Sequence, residues 1–314
     1  MTSRFIVYSE EFLEVIGPDP RYETVPNVHA HEGPVYVRDW DAVLYTTVPA
    51  TTNIPAFGDK RVSIGRLDVA TLKTSTLVEE TNMANGMTLD RQGRLLICEQ
   101  GSRSTPAGIS RLDLNTLQRE MVVDHWLGQP FNSPNDVVVK SDDTIWFTDP
   151  SYGALQGFRN PPLIGDYVYR YDPATKTTRP ILDSFNKPNG LAFSADESIL
   201  YVNDSGAIQG PGTYYPALPH HIRAFDVTGG PRTNDRLLAV VVPGVPDGLK
   251  VDSRDRVYSS SFSGVKVYDR GGKLLGEIIA EGVANFCFGG RDNNMLFMMC
   301  DTAINIATIA ATGV

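Results

Sequence analysis

The strongest regularity in this chain is a pattern of polar and apolar positions that recurs along its length. Five stretches align without a gap over thirteen positions: EGPVYVRDWDAVL from Glu32, NGMTLDRQGRLLI from Asn85, NDVVVKSDDTIWF from Asn135, NGLAFSADESILY from Asn189 and DGLKVDSRDRVYS from Asp247. Each opens on an acid or amide, runs through an apolar stretch, crosses a polar turn and enters a second apolar stretch. Two short β-rich runs around a turn predict a hairpin, with turns at Asp90–Gly93, Ser141–Asp143 and Ala195–Glu197. A sixth, degenerate copy begins near Asn285 as NFCFGGRDNNMLFMM. Between hairpins lie further strand-like runs: Gly108–Leu114, Tyr167–Tyr171, His221–Val227 and Gly264–Tyr268. Asp-x-x turns follow, as at Asp113 and Asp172. Units of this size with about four strands each are the signature of propeller blades. The pattern therefore predicts an all-β, six-bladed β-propeller with a central channel, closing near Asn285–Ile309, with residues 1–314 forming a single domain. A β-sandwich would not require one motif at near-constant spacing.

The first position of the repeat carries the candidate chemistry. Successive blades are related by rotation about the channel, so equivalent positions form a ring: Glu32, Asn85, Asn135, Asn189, Asp247 and the degenerate Asn285. Two carboxylates and several carboxamides at one level of a channel would repel or stay unpaired unless a cation bridged them. Oxygen-only donors with two negative charges suit a hard divalent cation such as Ca²⁺ or Mg²⁺. An isolated Asn-Gly or Asp-Gly is usually a turn dipeptide, but the repeat ties these to one geometric level.

Composition narrows the field. Glycine and proline, 28 and 21 of 314 residues, fit a turn-rich fold. The formal charge of −9, without a basic cluster, disfavours nucleic acid and anionic membranes as partners. Cys98, Cys287 and Cys300 are too scattered for a disulfide framework or a structural zinc site and read as buried small hydrophobes. The stretch Met1–Gly17 lacks a basic segment followed by an apolar run, and no span of about 18 apolar residues occurs. The expectation is a soluble, cytoplasmic protein. His29, His31, His125, His220 and His221 show no His-x-x-x-His spacing, so a zinc-hydrolase helix is not indicated, and each is expected at the surface or behind the site. Gly-x-Ser-x-Gly and phosphate-cradling glycine loops are absent from the sequence.

The segment NSPNDVVVKSDDTIWFTDPSYG from Asn132 resembles the SMP-30/gluconolactonase/luciferin-regenerating-enzyme family, and its gluconolactonases most. HEGPVY at His31, KPNGLAFSADESILYVNDS at Lys187, PDGLKVD at Pro246 and FCFGG at Phe286 resemble the same family in the same order. The resemblance runs from about residue 29 to 300. It implies a six-bladed propeller with one divalent cation in the channel, Ca²⁺ foremost with Mg²⁺, Mn²⁺ and Zn²⁺ as alternatives. It implies hydrolysis of a small-molecule substrate, a sugar lactone. The family's metal-binding glutamate, asparagine and aspartate match Glu32, Asn189 and Asp247. A second asparagine, near the metal directly or through a water and orienting the substrate, matches Asn135. Asn85 and Asn285 fall outside the family's ligand motif, and Phe286 is expected to crowd Asn285. The aspartate at the Asp247 position has been assigned a general-base role. Some sugar-lactone members place an arginine where this chain has Ser133, so their substrate contacts do not carry over. Arg103 and Tyr152, on loops after the second and third blades, are candidates for that contact.

A lactonase suits such a ring. The cation polarises the ester carbonyl while Asp247 assists attack by water. A metal-bound carboxylate is a weak base, adequate for an activated ester but not for an amide. The rivals are a phosphotriesterase of fluorophosphatase type with a more apolar pocket, a non-enzymatic calcium-binding protein, and a protein-interaction propeller. The last is disfavoured by polar channel positions and by blade ends without a Trp-Asp pair.

Overall fold

Each repeat copy folds as the two innermost strands of an antiparallel sheet, in a computed structural model that describes residues 4–51, 60–227 and 233–314. Blade I pairs Ala30–Val37, Ala42–Thr47, Ile64–Asp68 and Thr74–Val78, in that order from the inside outward. Blade II follows with Ala84–Leu89, Leu95–Glu99, Gly108–Leu112 and Arg119–Val123. Blade III comprises Val137–Val139, Ile145–Asp149, Tyr167–Asp172 and Thr177–Leu182. Blade IV comprises Pro188–Phe193, Ile199–Asp204, His221–Asp226 and Thr233–Val240. Blade V runs Leu249–Val251, Val257–Ser260, Gly264–Tyr268 and Leu274–Ile279, with Phe5–Val7 added at its outer edge. Blade VI starts with Asn285–Gly289, Met295–Met299 and Ala303–Thr308. Its outermost strand is Arg21–Pro26, paired from Arg21 opposite Thr308 to Pro26 opposite Ala303.

The six-bladed arrangement matches the expectation from the repeat, and the third strands lie where the apolar runs placed them. Closure differs in one respect. After Asn285 blade VI draws only three strands from the C-terminal segment, so an N-terminal strand fills the fourth place and stitches the ring. That strand carries no copy of the repeat, which is why the pattern did not reveal it.

Turn chemistry explains the hairpins. The tight turns hold a residue with positive φ at Asp41, Gly93, Asp143, Glu197, Asp255 and Asn293. Most are the Asp, Asn or Gly that tolerate this region. Aspartates brace the turns from inside: Asp90 Oδ1 accepts the backbone N–H groups of Gln92 and Arg94, and Asp252 Oδ1 those of Arg254 and Arg256. Asp113 and Asp172 do the same in the outer turns.

The core is not central. Buried apolar side chains form six clusters, one between each pair of neighbouring blades. Blades II and III share Phe131, Phe147 and Tyr169, for example, and blades V and VI share Tyr258, Phe286 and Met298, which the helix Glu11–Ile16 caps with Phe12. All three cysteines are free and buried in such clusters, as expected. Each fully buried aromatic or aliphatic side chain stabilises the fold by about 1.5–3 kcal/mol.

The channel is lined by the innermost strands, each touching the next and the last returning to the first. Glycine after the ring position permits this approach. Gly86 N–H donates to Asn135 O at 2.7 Å and Gly190 N–H to Asp247 O at 3.0 Å. A Cβ on Gly190 would lie 2.2 Å from Asp247 O, well inside contact distance. These Asn-Gly pairs thus sit in channel strands and not in turns. Gly190→Ala is expected to destabilise the protein by about 1–3 kcal/mol, the ordinary cost of overpacking, read as a lower thermal midpoint.

Candidate active site in the central channel

The ring residues occupy one mouth of the channel, at the start of the innermost strands. Glu32 is buried and lies between two register shifts that release it from the regular pleat of blade I. Its Oε2 accepts Gly33 N–H at 3.2 Å and Asn285 Nδ2–H at 2.7 Å. Asp247 precedes its strand and is anchored through its backbone, donating N–H to Ser260 Oγ at 3.0 Å and accepting Asn203 Nδ2–H at 2.8 Å. Its half-buried side chain lies beside those of Asn189 and Glu32. Burial and the neighbouring Glu32 charge hold the Asp247 carboxyl well above the usual carboxylate range. Two carboxyl groups brought close together mark a place where a proton or a cation is held between them.

The carboxamides complete the donor set. Asn189 is buried beside Asp247, and Tyr152 lies within hydrogen-bonding reach of Asn189 and Ser205. Burial, followed by the Asp247 charge, raises the Tyr152 hydroxyl. The backbone of Asn135 is fixed by N–H donation to Thr148 O at 2.9 Å, yet its buried Oδ1 has no hydrogen-bond partner. Asn85 Oδ1 is likewise buried and unpartnered. Acceptor oxygens left without donors beside two carboxylates fit a hard divalent cation, which takes oxygen ligands at about 2.0–2.6 Å. Among the described residues no three His, Cys, Asp or Glu side chains converge on one point, so the candidate set is two carboxylates with carboxamides. Asn285 is committed differently: its Nδ2 orients Glu32 and its Oδ1 accepts Phe286 N–H at 2.8 Å. Phe286 does not crowd it, because that ring lies in the core between blades V and VI.

Supporting residues repeat as well. Asp149, ending the second strand of blade III, accepts the N–H groups of Asn132 and Ser133 at 2.9 and 2.8 Å. Asp204 does the same for Asn186 and Lys187 at 2.9 Å each. These carboxylates clamp the loops that deliver Asn135 and Asn189. Burial pushes Asp149 up to about 8, against the pull of its two N–H donors. The sequence signal was present, since FTDPS and YVNDS sit at nearly the same offset from their ring asparagines. Ser133 Oγ donates to Pro150 O at 2.6 Å and accepts Gly153 N–H at 2.9 Å, so that hydroxyl is spent on the turn before Tyr152. Arg103 donates to Gly157 O at 3.1 Å and lines a cavity of about 260 Å³ with Phe131, Asn132 and Arg159, whereas Tyr152 faces Asn189. A cavity of about 680 Å³ opens at the opposite end of the channel around Met87, Val137, Leu191 and Lys250.

His31 adjoins the ring, with Nδ1 at 2.7 Å from Asp301 Oδ1. Burial lowers its affinity for a proton, but the Asp301 hydrogen bond and the charges of Glu32, Asp301 and Asp247 outweigh it, and the midpoint rises to about 9.

A six-bladed propeller with a polar ring in its channel defines the class to which this fold and site belong. A family model described as "SMP-30/Gluconolactonase/LRE-like region" matches residues 31–302, and the chain belongs to that family. It is 27% identical to a gluconolactonase of Zymomonas mobilis, over 94% of this chain and 81% of that protein. Among solved structures it resembles a gluconolactonase of Xanthomonas campestris, with TM-score 0.81, 30% identity and coverage of 97% and 94% of the two chains. Regucalcin of Agrobacterium tumefaciens, a calcium-binding protein, shares the fold at TM-score 0.67 and 15% identity over 92% of this chain and 93% of that one. Among the described residues no helix is long and apolar enough to cross a membrane.

The raised His31 midpoint means that its protonated form favours the fold fully below the ordinary imidazole value near 6.5, a contribution lost as pH rises through about 9. Asp301→Asn removes the largest favourable partner. Imidazole NMR titration in the presence of chelator should therefore show the His31 midpoint falling substantially in that variant.

Proposed function

We propose that this protein is a lactonase, hydrolysing the ester ring of a small-molecule lactone at the Glu32–Asp247 end of the channel. The carrying observation is the placement of the buried Glu32 carboxyl close to the half-buried Asp247 carboxyl, beside acceptor oxygens that lack donors. The names of its relatives, gluconolactonase and lactonohydrolase, support the reaction class.

In this reading Glu32, Asn189 and Asp247 hold a divalent cation, Ca²⁺ foremost, with Asn135 Oδ1 at or near it. Such an ion, when bound, supplies Lewis-acid polarisation of the lactone carbonyl. Everything else is the work of this chain. Asn285 holds the Glu32 carboxylate in place, and the Asp149 clamp sets the loop that carries Asn135. Asp247 accepts a proton from the attacking water, its backbone pinned by Ser260 and Asn203 so that its carboxylate need not reorganise. Asn135 orients the lactone or the water through its unpartnered oxygen. Tyr152, whose hydroxyl burial keeps protonated, is placed to donate a hydrogen bond to the substrate.

Asp247→Asn keeps the size and one oxygen but removes the proton acceptor and one unit of charge. Turnover of a lactone panel followed with a pH indicator should fall by at least about 10²-fold, the lower end for loss of a general base. Excess Ca²⁺ should not restore it; full restoration would make Asp247 a ligand only. Chelator should abolish wild-type turnover and added divalent cation should recover it. Asn135→Ala is expected to slow turnover more than it weakens cation binding measured by calorimetry, and wild-type rates in that variant would remove Asn135 from the site.

A further inference from the structure

Four large apolar side chains stand in solvent at the corner between blades IV and V: Tyr214 is 41% exposed, Tyr215 50%, Phe262 50% and Val242 55%. Single exposed apolar residues are ordinary, but a contiguous group on the face of a candidate site marks a contact surface. The Tyr214 and Phe262 rings come from different blades yet lie 5.8 Å apart at 50°. Phe262 N–H donates to Pro243 O at 3.2 Å, which brings it against the segment bearing Val242.

Short hydrogen-bonded links tie this corner to the channel mouth. Phe262 is two residues beyond Ser260, whose Oγ accepts the Asp247 N–H. Tyr214 and Tyr215 sit on the loop that begins at Ser205, and Tyr215 N–H donates to Ala207 O at 2.8 Å. Ser205 itself is within reach of Tyr152 and donates to Pro246 O, the residue before Asp247. The Phe262 ring lies over Gly244, three residues before Asp247, so the aromatic corner is carried on the segments that also hold Asp247. Cations on the neighbouring loops are already engaged. Lys187 Nζ binds Asp166 at 2.6 Å and Asn186 O at 2.8 Å. The Arg159 guanidinium donates to the carbonyls of Ser102, Thr105, Phe131 and Asn132.

We infer that Phe262, Tyr214 and Tyr215 form a docking wall for an apolar substituent, so that the preferred substrate is a lactone carrying an alkyl or aryl group and not a bare polyhydroxylated ring. This rests on the lactonase reading and names the substrate class within it. An alkyl or aryl group held there moves out of water and against several apolar side chains at once, a gain that a ring bearing only hydroxyls shares much less.

The test compares kcat/KM for dihydrocoumarin, δ-nonalactone and glucono-δ-lactone in the cation-loaded wild type, Phe262→Ala, Phe262→Leu and Tyr214→Ala, with thermal melts confirming folding. The wild type should favour the first two substrates by at least about tenfold, within the range hydrophobic pockets achieve. Phe262→Ala and Tyr214→Ala should reduce that preference about tenfold, chiefly through KM, and Phe262→Leu should spare the alkyl lactone more than the aryl one. Preference for the sugar lactone, or a preference indifferent to all three substitutions, overturns the inference. Calorimetric binding of chroman, which has the aryl ring and no ester, separates this from failure of the activity. Binding lost in Phe262→Ala, with no lactone turned over, refutes the lactonase reading and leaves the wall standing. Absence of both refutes both.

Discussion

Edge-on contact of the innermost strands around the channel is the constraint on which the rest of this structure depends. Those strands meet closely enough for Gly86 and Gly190 to donate backbone hydrogen bonds to the ring residue of the next blade. The same contact brings Glu32, Asn135, Asn189 and Asp247 to one level and lets six separate apolar clusters fill the wedges between sheets. Widening any one junction would loosen a hydrophobic wedge and displace a polar ring residue together. Stability and site geometry therefore share one origin.

That geometry has an electrostatic cost. The buried Glu32 and the half-buried Asp247 lie close together, and the surrounding carboxamides offer oxygens more than donors. Repulsion of this kind is tolerable only in a frame held rigid by other means. Asn285 braces Glu32, Ser260 and Asn203 brace Asp247, and Asp149 and Asp204 hold the loops on either side. Polar groups in the rim thus divide into those left open and those spent on holding them open, with Ser133 and Arg159 among the latter.

Much of this was legible in the sequence because rotation about an axis turns a linear repeat into a ring. The blade count, the hairpins and the level shared by Glu32, Asn135, Asn189 and Asp247 all follow from that. What stayed hidden lacked periodicity. The strand Arg21–Pro26 closes blade VI without resembling any repeat, and the pairing of His31 with Asp301 joins residues at opposite ends of the chain. Hydrogen bonding and not crowding commits the Asn285 side chain, while Phe286 turns away into the core. The Asp149 and Asp204 clamps were visible as a second periodicity, offset from the first, and needed only the recognition that strand ends also recur.

The N-terminal strand in blade VI has a consequence for the order of events at the ribosome. Arg21–Pro26 is made before any of the repeat copies, but its partner Ala303–Thr308 is made after all of them. The hydrogen bond from Asn285 to Glu32 crosses the same seam. Blades II to V can assemble as the chain emerges, yet neither the circle nor the full channel mouth exists until these two strands meet. Nascent protein thus passes through an open arc whose terminal blades each present an unsealed flank, and the polar ring is completed only once Ala303–Thr308 has emerged to meet Arg21–Pro26.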